Sequence, residues 1–512
     1  MPGELAIVVL AAGKGSRLKS ERAKVLHQAG GLPLVVHVLR AVQSLVARGS
    51  TTGKTRVAVD LRVVVGHQAE TVARVVEPLG ARTVLQRPQL GTGHAVAQAL
   101  ASLPRRVARL LVLPGDAPLV CSASLRVLLR LHVDFASAAT LFTARLAHPH
   151  SYGRILRSPS GAVEAIIEQG ALRSGQAALR EVNSGIYCFE RAALAAVLGR
   201  LGRDNLHREY YLTDVIALLR QAGHTVSAYA TDDPDEILGV NTGAELARVD
   251  RLLRRRKAEA LLAQGVTLYQ PETQAIDPDV VIGTDSIVER GVELRGRTRI
   301  GRRCHIAAHS ILHDAVLADD VVVKPNCLVL NSRLASGVVV GPFAHLRDGA
   351  EIRRDARIGN FVEVKKSIVG EGTKAQHLTY LGDATIGRRT NVGAGTITCN
   401  YDGVNKNPTR IGDQVFIGSG TELVAPVKVG GGAYVAAGST VTENVPSDAL
   451  AIARGRQVNK PGWARTRRQK LAAAKARKEE PAVVVRTTSS ARAARKVRGR
   501  RRKARRQARR RK

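Results

Sequence analysis

Through the first half of the chain, short apolar runs alternate with longer stretches whose apolar residues recur at helical spacing. The runs from Ala6 to Leu10, Arg62 to Val65, Leu110 to Leu113, Ala138 to Thr143 and Gly185 to Phe189 read as strands. Leu34 to Ala47 and Ala95 to Leu103 read as helices. This alternation predicts an α/β domain over residues 1–243, a Rossmann-like and mainly parallel sheet with helices on both faces. Ligands of such sheets gather at the carboxyl ends of the strands. Residues 244–265 then form a single helical pattern, with Leu246, Val249, Leu252, Leu253, Leu261 and Leu262 on a stripe and Gly265 as its stop, which reads as a connector between domains.

Beyond the connector the period changes to six. Apolar residues recur at Ile276, Ile282, Val288, Leu294, Ile300, Ile306 and Leu312. After a slip they continue at Val316, Val322, Leu328, Leu334, Val340, Leu346, Ile352, Ile358 and Val364, and again at Ile411, Ile417, Leu423, Val429, Val435 and Val441. Stacked short strands joined by turns produce this spacing, and neither a helix nor a simple strand does. Residues 266–460 are therefore expected to be all-β, a parallel β-helix of hexapeptide repeats. Its narrow interior suits Ile, Val and Leu, which accounts for an aromatic content of only 3%. The period breaks between Val364 and Ile411, where Glu363, Lys365, His377, Tyr380, Asn391, Asn400 and Tyr401 cluster with a polar loop from Asp402 to Thr409. Repeat proteins place binding loops at such interruptions, although a lone histidine there is more often a turn residue than a catalyst.

At 512 residues the chain is too long for one core. Its net charge of +36 is concentrated: residues 461–512 hold 22 Lys or Arg against Glu479 and Glu480, and the rest of the chain holds 57 against 41. That tail, poor in large apolar residues, is expected to be disordered or only transiently helical. It suits nonspecific contact with nucleic acid or an anionic surface, or is simply a solvated extension. Five dispersed cysteines lack metal-binding spacing and read as free thiols of a reducing compartment. No run approaches the roughly 20 apolar residues of a membrane span, and no cationic segment precedes the first apolar run. A cytoplasmic protein is expected.

The first strand ends in Gly13-Lys14-Gly15-Ser16-Arg17. A strand running into a glycine-rich turn offers free N–H groups to phosphate. Leu18 stands where the dinucleotide fingerprint needs its third glycine, and the Walker order is absent. Around it are Lys24, the run Gln89 to His94, Asp116, Glu168, Asn183 and Asn241, most of them at or just beyond strand ends. Taken alone, Asp116 reads equally as a turn former or as an oxygen ligand for magnesium.

Leu10-Ala11-Ala12-Gly13-Lys14-Gly15-Ser16-Arg17 followed by Lys24 resembles the signature of sugar-1-phosphate nucleotidyltransferases. With Gln376 to Asp383, Asn391 to Thr396 and the hexapeptide domain, the chain up to Lys460 resembles the bacterial bifunctional N-acetylglucosamine-1-phosphate uridyltransferase and glucosamine-1-phosphate N-acetyltransferase family. The resemblance implies that Leu10, Ala11, Ala12 and Gly13 hold UTP, that Lys14, Arg17 and Lys24 lie by its phosphates, and that Gln86, Gly91 and Thr92 read the uracil. It further implies sugar contacts from Gly153, Glu168 and Asn183, and Mg²⁺ held by Asp116 and Asn241. In the second domain, a left-handed β-helix, it makes His377 the general base, oriented by Glu363. Arg347, Lys365, Tyr380 and Asn391 would bind glucosamine-1-phosphate, and Ala394, Asn400, Tyr401, Ser419, Ala437 and Arg454 acetyl-CoA, in a groove between prisms of a homotrimer. The chain departs from the family pattern at Ala23, Pro114, Gln169-Gly170-Ala171 and His345. The expected function is synthesis of UDP-N-acetylglucosamine by acetyl transfer and then uridylyl transfer; the alternative is a single-function nucleotidyltransferase with a regulatory β-helix.

Overall fold

A computed structural model describes residues 4–48, 59–149 and 151–479. It divides into two units, 1–453 and 454–512. In the first, strands β1 (Glu4–Ala11), β2 (Asp60–Val65), β3 (Arg82–Leu85), β4 (Val107–Pro114), β5 (Ala139–Arg145), β6 (Arg154–Arg157), β7 (Val163–Ile167), β8 (Glu181–Glu190) and β9 (Val226–Thr231) form one sheet. Its order is β9-β5-β8-β4-β1-β2-β3, with β6 and β7 attached beside β8. All pairings along the order are parallel except those of β8, which runs antiparallel to β4 and β5. Strands β1, β2 and β4 are apolar on both faces, as a sheet covered on both sides requires. Val8, Val64 and Val112 pack into one core, whereas Ile7, Val9, Val63 and Leu111 pack into the other. The period-two burial thus places the Gly13 loop at the carboxyl edge of a central strand, where strand order reverses. Strands β3, β6, β7 and β9 do not stand out in the hydrophobic pattern because they are short or half exposed.

The connecting helix spans Gly243–Leu262. Its start is fixed by a capping box: Thr242 Oγ1 accepts from Glu245 N at 3.2 Å, and Glu245 Oε2 accepts from Thr242 N at 2.8 Å. Val249 packs with Leu34, Leu119 and Val240, while Ala258 and Leu261 pack against the end of the β-helix interior. One helix therefore has an apolar seat in each layer of the unit.

From Thr267 on, strands of two or three residues stack in parallel, each coil pairing with the next 17 or 18 residues on, as in Ile276 with Leu294 and Leu312 with Val329. All members of the first and third apolar sets point inward and are buried. The second set differs in its first three members. The inward residues are Leu317, Val323 and Val329, and Val316, Val322 and Leu328 are only half buried. Each of these positions offers two adjacent apolar residues, so spacing alone does not choose between them; the register returns at Leu334. In the second unit, the expected tail disorder does not extend to Trp463–Glu479, which is an α-helix built from Ala, Arg, Lys and Gln. Residues 480–512 lie outside the described residues.

Candidate active sites

The loop after β1 turns at Gly15, where φ is +68°. A Cβ there would lie 2.6 Å from Lys24 Cβ, so glycine both permits the left-handed turn and admits the lysine. Lys24 forms an ion pair with Asp116 and donates to Asn241 Oδ1 at 2.6 Å; Arg17 Nη2 donates to the same oxygen at 2.8 Å. Asp116 follows β4, and Asn241 precedes the capping box, its backbone N–H bonded to Glu245 Oε2 at 2.7 Å. The Asp116 carboxylate and Asn241 carboxamide oxygen thus converge on one ammonium cation. This is a hard oxygen donor set, and among the described residues no group of three or more His, Cys, Asp or Glu is suited to a metal. Two protein oxygens beside the Gly13 loop are a donor set that fits magnesium, which retains water and phosphate in its shell.

Two further clusters adjoin this point. Gln86 is buried, and its Nε2 donates to Gly91 O at 2.9 Å, bracing the turn before helix Thr92–Ser102. Thr92 Oγ1 accepts from Leu212 N at 3.0 Å. Gln89 Nε2 donates to Ala12 O at 2.8 Å and ties this turn to the Gly13 loop. On the other side, Asn183 N donates to Gly153 O at 2.9 Å, and a Cβ on Gly153 would lie 3.6 Å from Glu168 Oε2. Glu168 sits on the loop after β7, and burial pushes its carboxyl up, only partly offset by the bond from Thr213 Oγ1 at 3.0 Å. The residues expected at the phosphates, the base and the sugar are thereby contiguous along one edge of the sheet.

In the β-helix, the uniform short strands give way to two of nine residues, Arg357–Lys365 and Lys374–Gly382, paired from Arg357 with Lys374 to Lys365 with Gly382. In that register Asn360 faces His377 and Glu363 faces Tyr380. His377 Nδ1 lies 2.9 Å from Asn360 Oδ1. An amide oxygen only accepts, so Nδ1 carries a proton, and in the neutral ring Nε2 is the nitrogen with the lone pair. Glu363 is not the partner of the imidazole. Its carboxylate accepts from Arg347 Nε at 2.7 Å instead, because it lies three residues further along the strand.

Lys365 and Lys366 flank Asp383 at 3.8 and 3.9 Å, and Asn400 Nδ2 donates to Asp383 Oδ2 at 2.6 Å. Past this point a coil is longer: Ile386 pairs with Ile411, 25 residues on, and the extra residues form the loop after Asn400. Asp402 shapes that loop, its Oδ1 accepting from Val404 N at 2.8 Å and Asn405 N at 2.6 Å. These bonds hold the Asp402 carboxyl below its ordinary value. The loop carries Lys406 to the Lys365 ammonium, whose contact and repulsion lower Lys406. Two close cations at a lined edge suit a phosphate. Ala394, Ser419 and Ala437 climb one corner on successive coils, joined by Gly420 N to Ala394 O at 2.7 Å and Gly438 N to Ser419 O at 2.8 Å. All three side chains are small. Asn391 begins a strand, Tyr401 is exposed in the loop after Asn400, and Arg454 is exposed at the start of the second unit.

Residues 7–183 match the MobA-like NTP transferase domain model. The chain is 46% identical over 468 residues to the bifunctional protein GlmU of Koribacter versatilis, spanning 91% of this chain and 97% of that one. Pelobacter propionicus GlmU is 46% identical over 460 residues (90% and 98%), and that of Streptococcus agalactiae serotype V is 44% identical over 459 (89% and 97%). The chain belongs to the GlmU family. Asn360 and Glu245 are the residues at the two candidate sites that sequence reasoning did not single out; Asp402 and Lys406 lie in the polar loop from Asp402 to Thr409 and Gln89 in the run Gln89 to His94, both legible in the sequence. Asn360 was the more accessible of the two, since it lies one 17-residue coil before His377.

Proposed function

We propose how the two sites divide the synthesis of UDP-N-acetylglucosamine, the activity of this bifunctional nucleotidyltransferase and N-acetyltransferase. In the β-helix, the neutral amine of glucosamine-1-phosphate attacks the carbonyl carbon of the acetyl-CoA thioester. His377 Nε2 takes the amine proton as the C–N bond forms, the C–S bond breaks, and its electron pair leaves on the CoA sulfur. A positioned base of this kind contributes about 10²–10⁴-fold. Arg347, Lys365 and Lys406 hold the sugar phosphate, Tyr380 and Asn391 the sugar, and Ala394, Asn400, Tyr401, Ser419 and Ala437 the CoA arm.

At the sheet, a phosphate oxygen of N-acetylglucosamine-1-phosphate attacks the α-phosphorus of UTP in line, and the bond to the β-phosphate oxygen breaks to release pyrophosphate. Lys14, Arg17 and Lys24 offset the crowded negative charge, while the Gly13 loop, Gln86, Gly91 and Thr92 fix the nucleotide and Gly153, Glu168 and Asn183 the sugar. Asp116 and Asn241 would hold magnesium, which would supply further positive charge at the phosphates. The observation that carries this reading is the convergence of Asp116 and Asn241 on Lys24 beside the Gly13 loop.

The β-helix also supports a homotrimer. Phe343 and Phe361 stack at 5.3 Å on successive coils, both half exposed, and Leu378 continues the ladder at 65% exposure next to His377. An apolar stripe of this kind at a half-built site suits a second copy. All five cysteines are unpaired and no described helix is long and apolar enough to cross a membrane, which supports a cytoplasmic setting.

The test is Lys24→Ala, assayed for both products. Pyrophosphate release from UTP and N-acetylglucosamine-1-phosphate is expected to fall at least about 100-fold, with CoA release unchanged. Equal loss of both products, or of neither, overturns the division.

A further inference from the structure

The synthesis of a nucleotide sugar makes no use of the basic C-terminal segment. The GlmU relatives are covered over 97% and 98% of their own length, yet about a tenth of this chain has no counterpart in them, which is the size of that segment. We propose that the described part of this segment, residues 461–479, is a binding surface for the phosphodiester backbone of nucleic acid, read without regard to sequence.

Charge complementarity favours an external polyanion. The other 460 residues are themselves net basic, with 57 Lys or Arg against 41 Asp or Glu, so the rest of the chain carries no net negative charge to balance the segment. The segment holds 22 basic residues against two acidic ones, and 16 of the 22 are Arg. Guanidinium groups pair with phosphate oxygens in a planar, two-pronged way that lysine does not match.

The arrangement of the helix separates nucleic acid from a membrane. An interfacial helix needs a continuous apolar face. Trp463 and Leu471 are the only large apolar residues of Trp463–Glu479, and basic residues stand four positions from each: Arg467 from Trp463, and Arg467 and Lys475 from Leu471. Arg468 and Lys478 complete the ring around Leu471. Side chains 463–478 are exposed throughout. A helix without a continuous apolar face and with seven basic side chains spread over most of its circumference fits a polyanion that exchanges its counterions for them. Residues 480–512 add 15 further basic side chains against one acid.

The experiment uses the full-length enzyme, a variant with the seven basic residues of the helix changed to Gln, and a variant with all 22 changed. Gln keeps helix propensity, and unchanged release of CoA and pyrophosphate verifies that the enzyme body is intact. The probes are a labelled 30-base-pair DNA duplex, a 30-nucleotide RNA, and vesicles containing anionic phosphatidylglycerol, at equal phosphate concentration. The wild type is expected to bind DNA, RNA or both, with affinity falling about 10³-fold or more between 50 and 200 mM salt. The seven-residue variant is expected to bind at least about tenfold more weakly at 50 mM salt with a flatter salt slope, and the 22-residue variant not to bind. Affinity unchanged in both variants, no binding by the wild type at 50 mM salt, or tighter binding to vesicles than to either nucleic acid overturns the proposal.

Discussion

A histidine acts as a base only through a nitrogen that bears a lone pair, and with His377 Nδ1 bonded to Asn360 Oδ1 that nitrogen, in the neutral ring, is Nε2. Asn360→Ala frees the ring to rotate and to change tautomer. Acetyl transfer should slow about tenfold in kcat, with little change in KM for acetyl-CoA and none in pyrophosphate release. An unchanged kcat would show that the ring is held by something else. The residue scale is also where sequence reading was least complete. Glu363 is near His377 in sequence, but a β-helix brings together residues one coil apart, and Asn360 satisfies that spacing. Glu168 gives a prediction in pH. Burial raises its carboxyl, so as pH falls it takes a proton before an ordinary glutamate and becomes a hydrogen-bond donor. The KM for N-acetylglucosamine-1-phosphate should therefore rise as pH falls below neutrality, and Glu168→Gln should flatten that rise. A wild-type KM that is constant over this range would contradict the assigned role.

Elements transmit order into both sites. The capping box that starts the connecting helix also anchors Asn241, since Glu245 accepts from the backbone of both Asn241 and Thr242. Thr242→Ala should cost about 1 kcal/mol of stability and raise the Mg²⁺ concentration needed for half-maximal pyrophosphate release, without effect on CoA release. The loop after Asn400 depends likewise on Asp402. Asp402→Ala removes the acceptor of two backbone bonds, so Lys406 should lose its place beside Lys365 and KM for glucosamine-1-phosphate should rise several-fold, with kinetics for UTP unaffected. At this scale the sequence was largely legible. Strands β1, β2 and β4 carry both faces buried and read as plain apolar runs, and the period of six located the stacked coils. The slip at Val316, Val322 and Leu328 stayed hidden because each lies beside a second apolar residue, and only burial separates the two.

For the whole molecule, the proposed division assigns the two reactions to two architectures, an open sheet at whose strand ends the nucleotide would sit and a prism whose broken coil would hold the sugar phosphate beside His377. Because the first centre lies wholly within one sheet edge and the second beside an exposed apolar ladder, they should differ in their need for assembly. Phe343→Asp should yield monomers in sedimentation and lose acetyl transfer while retaining pyrophosphate release; a trimeric, fully active variant would remove the ladder from the interface. The most direct measurement of the two-site division is His377→Ala with both products followed in one preparation. With glucosamine-1-phosphate and acetyl-CoA no CoA should appear, and with N-acetylglucosamine-1-phosphate, UTP and Mg²⁺ pyrophosphate should form at the wild-type rate. Retained acetyl transfer, or pyrophosphate release that falls with it, would contradict the assignment.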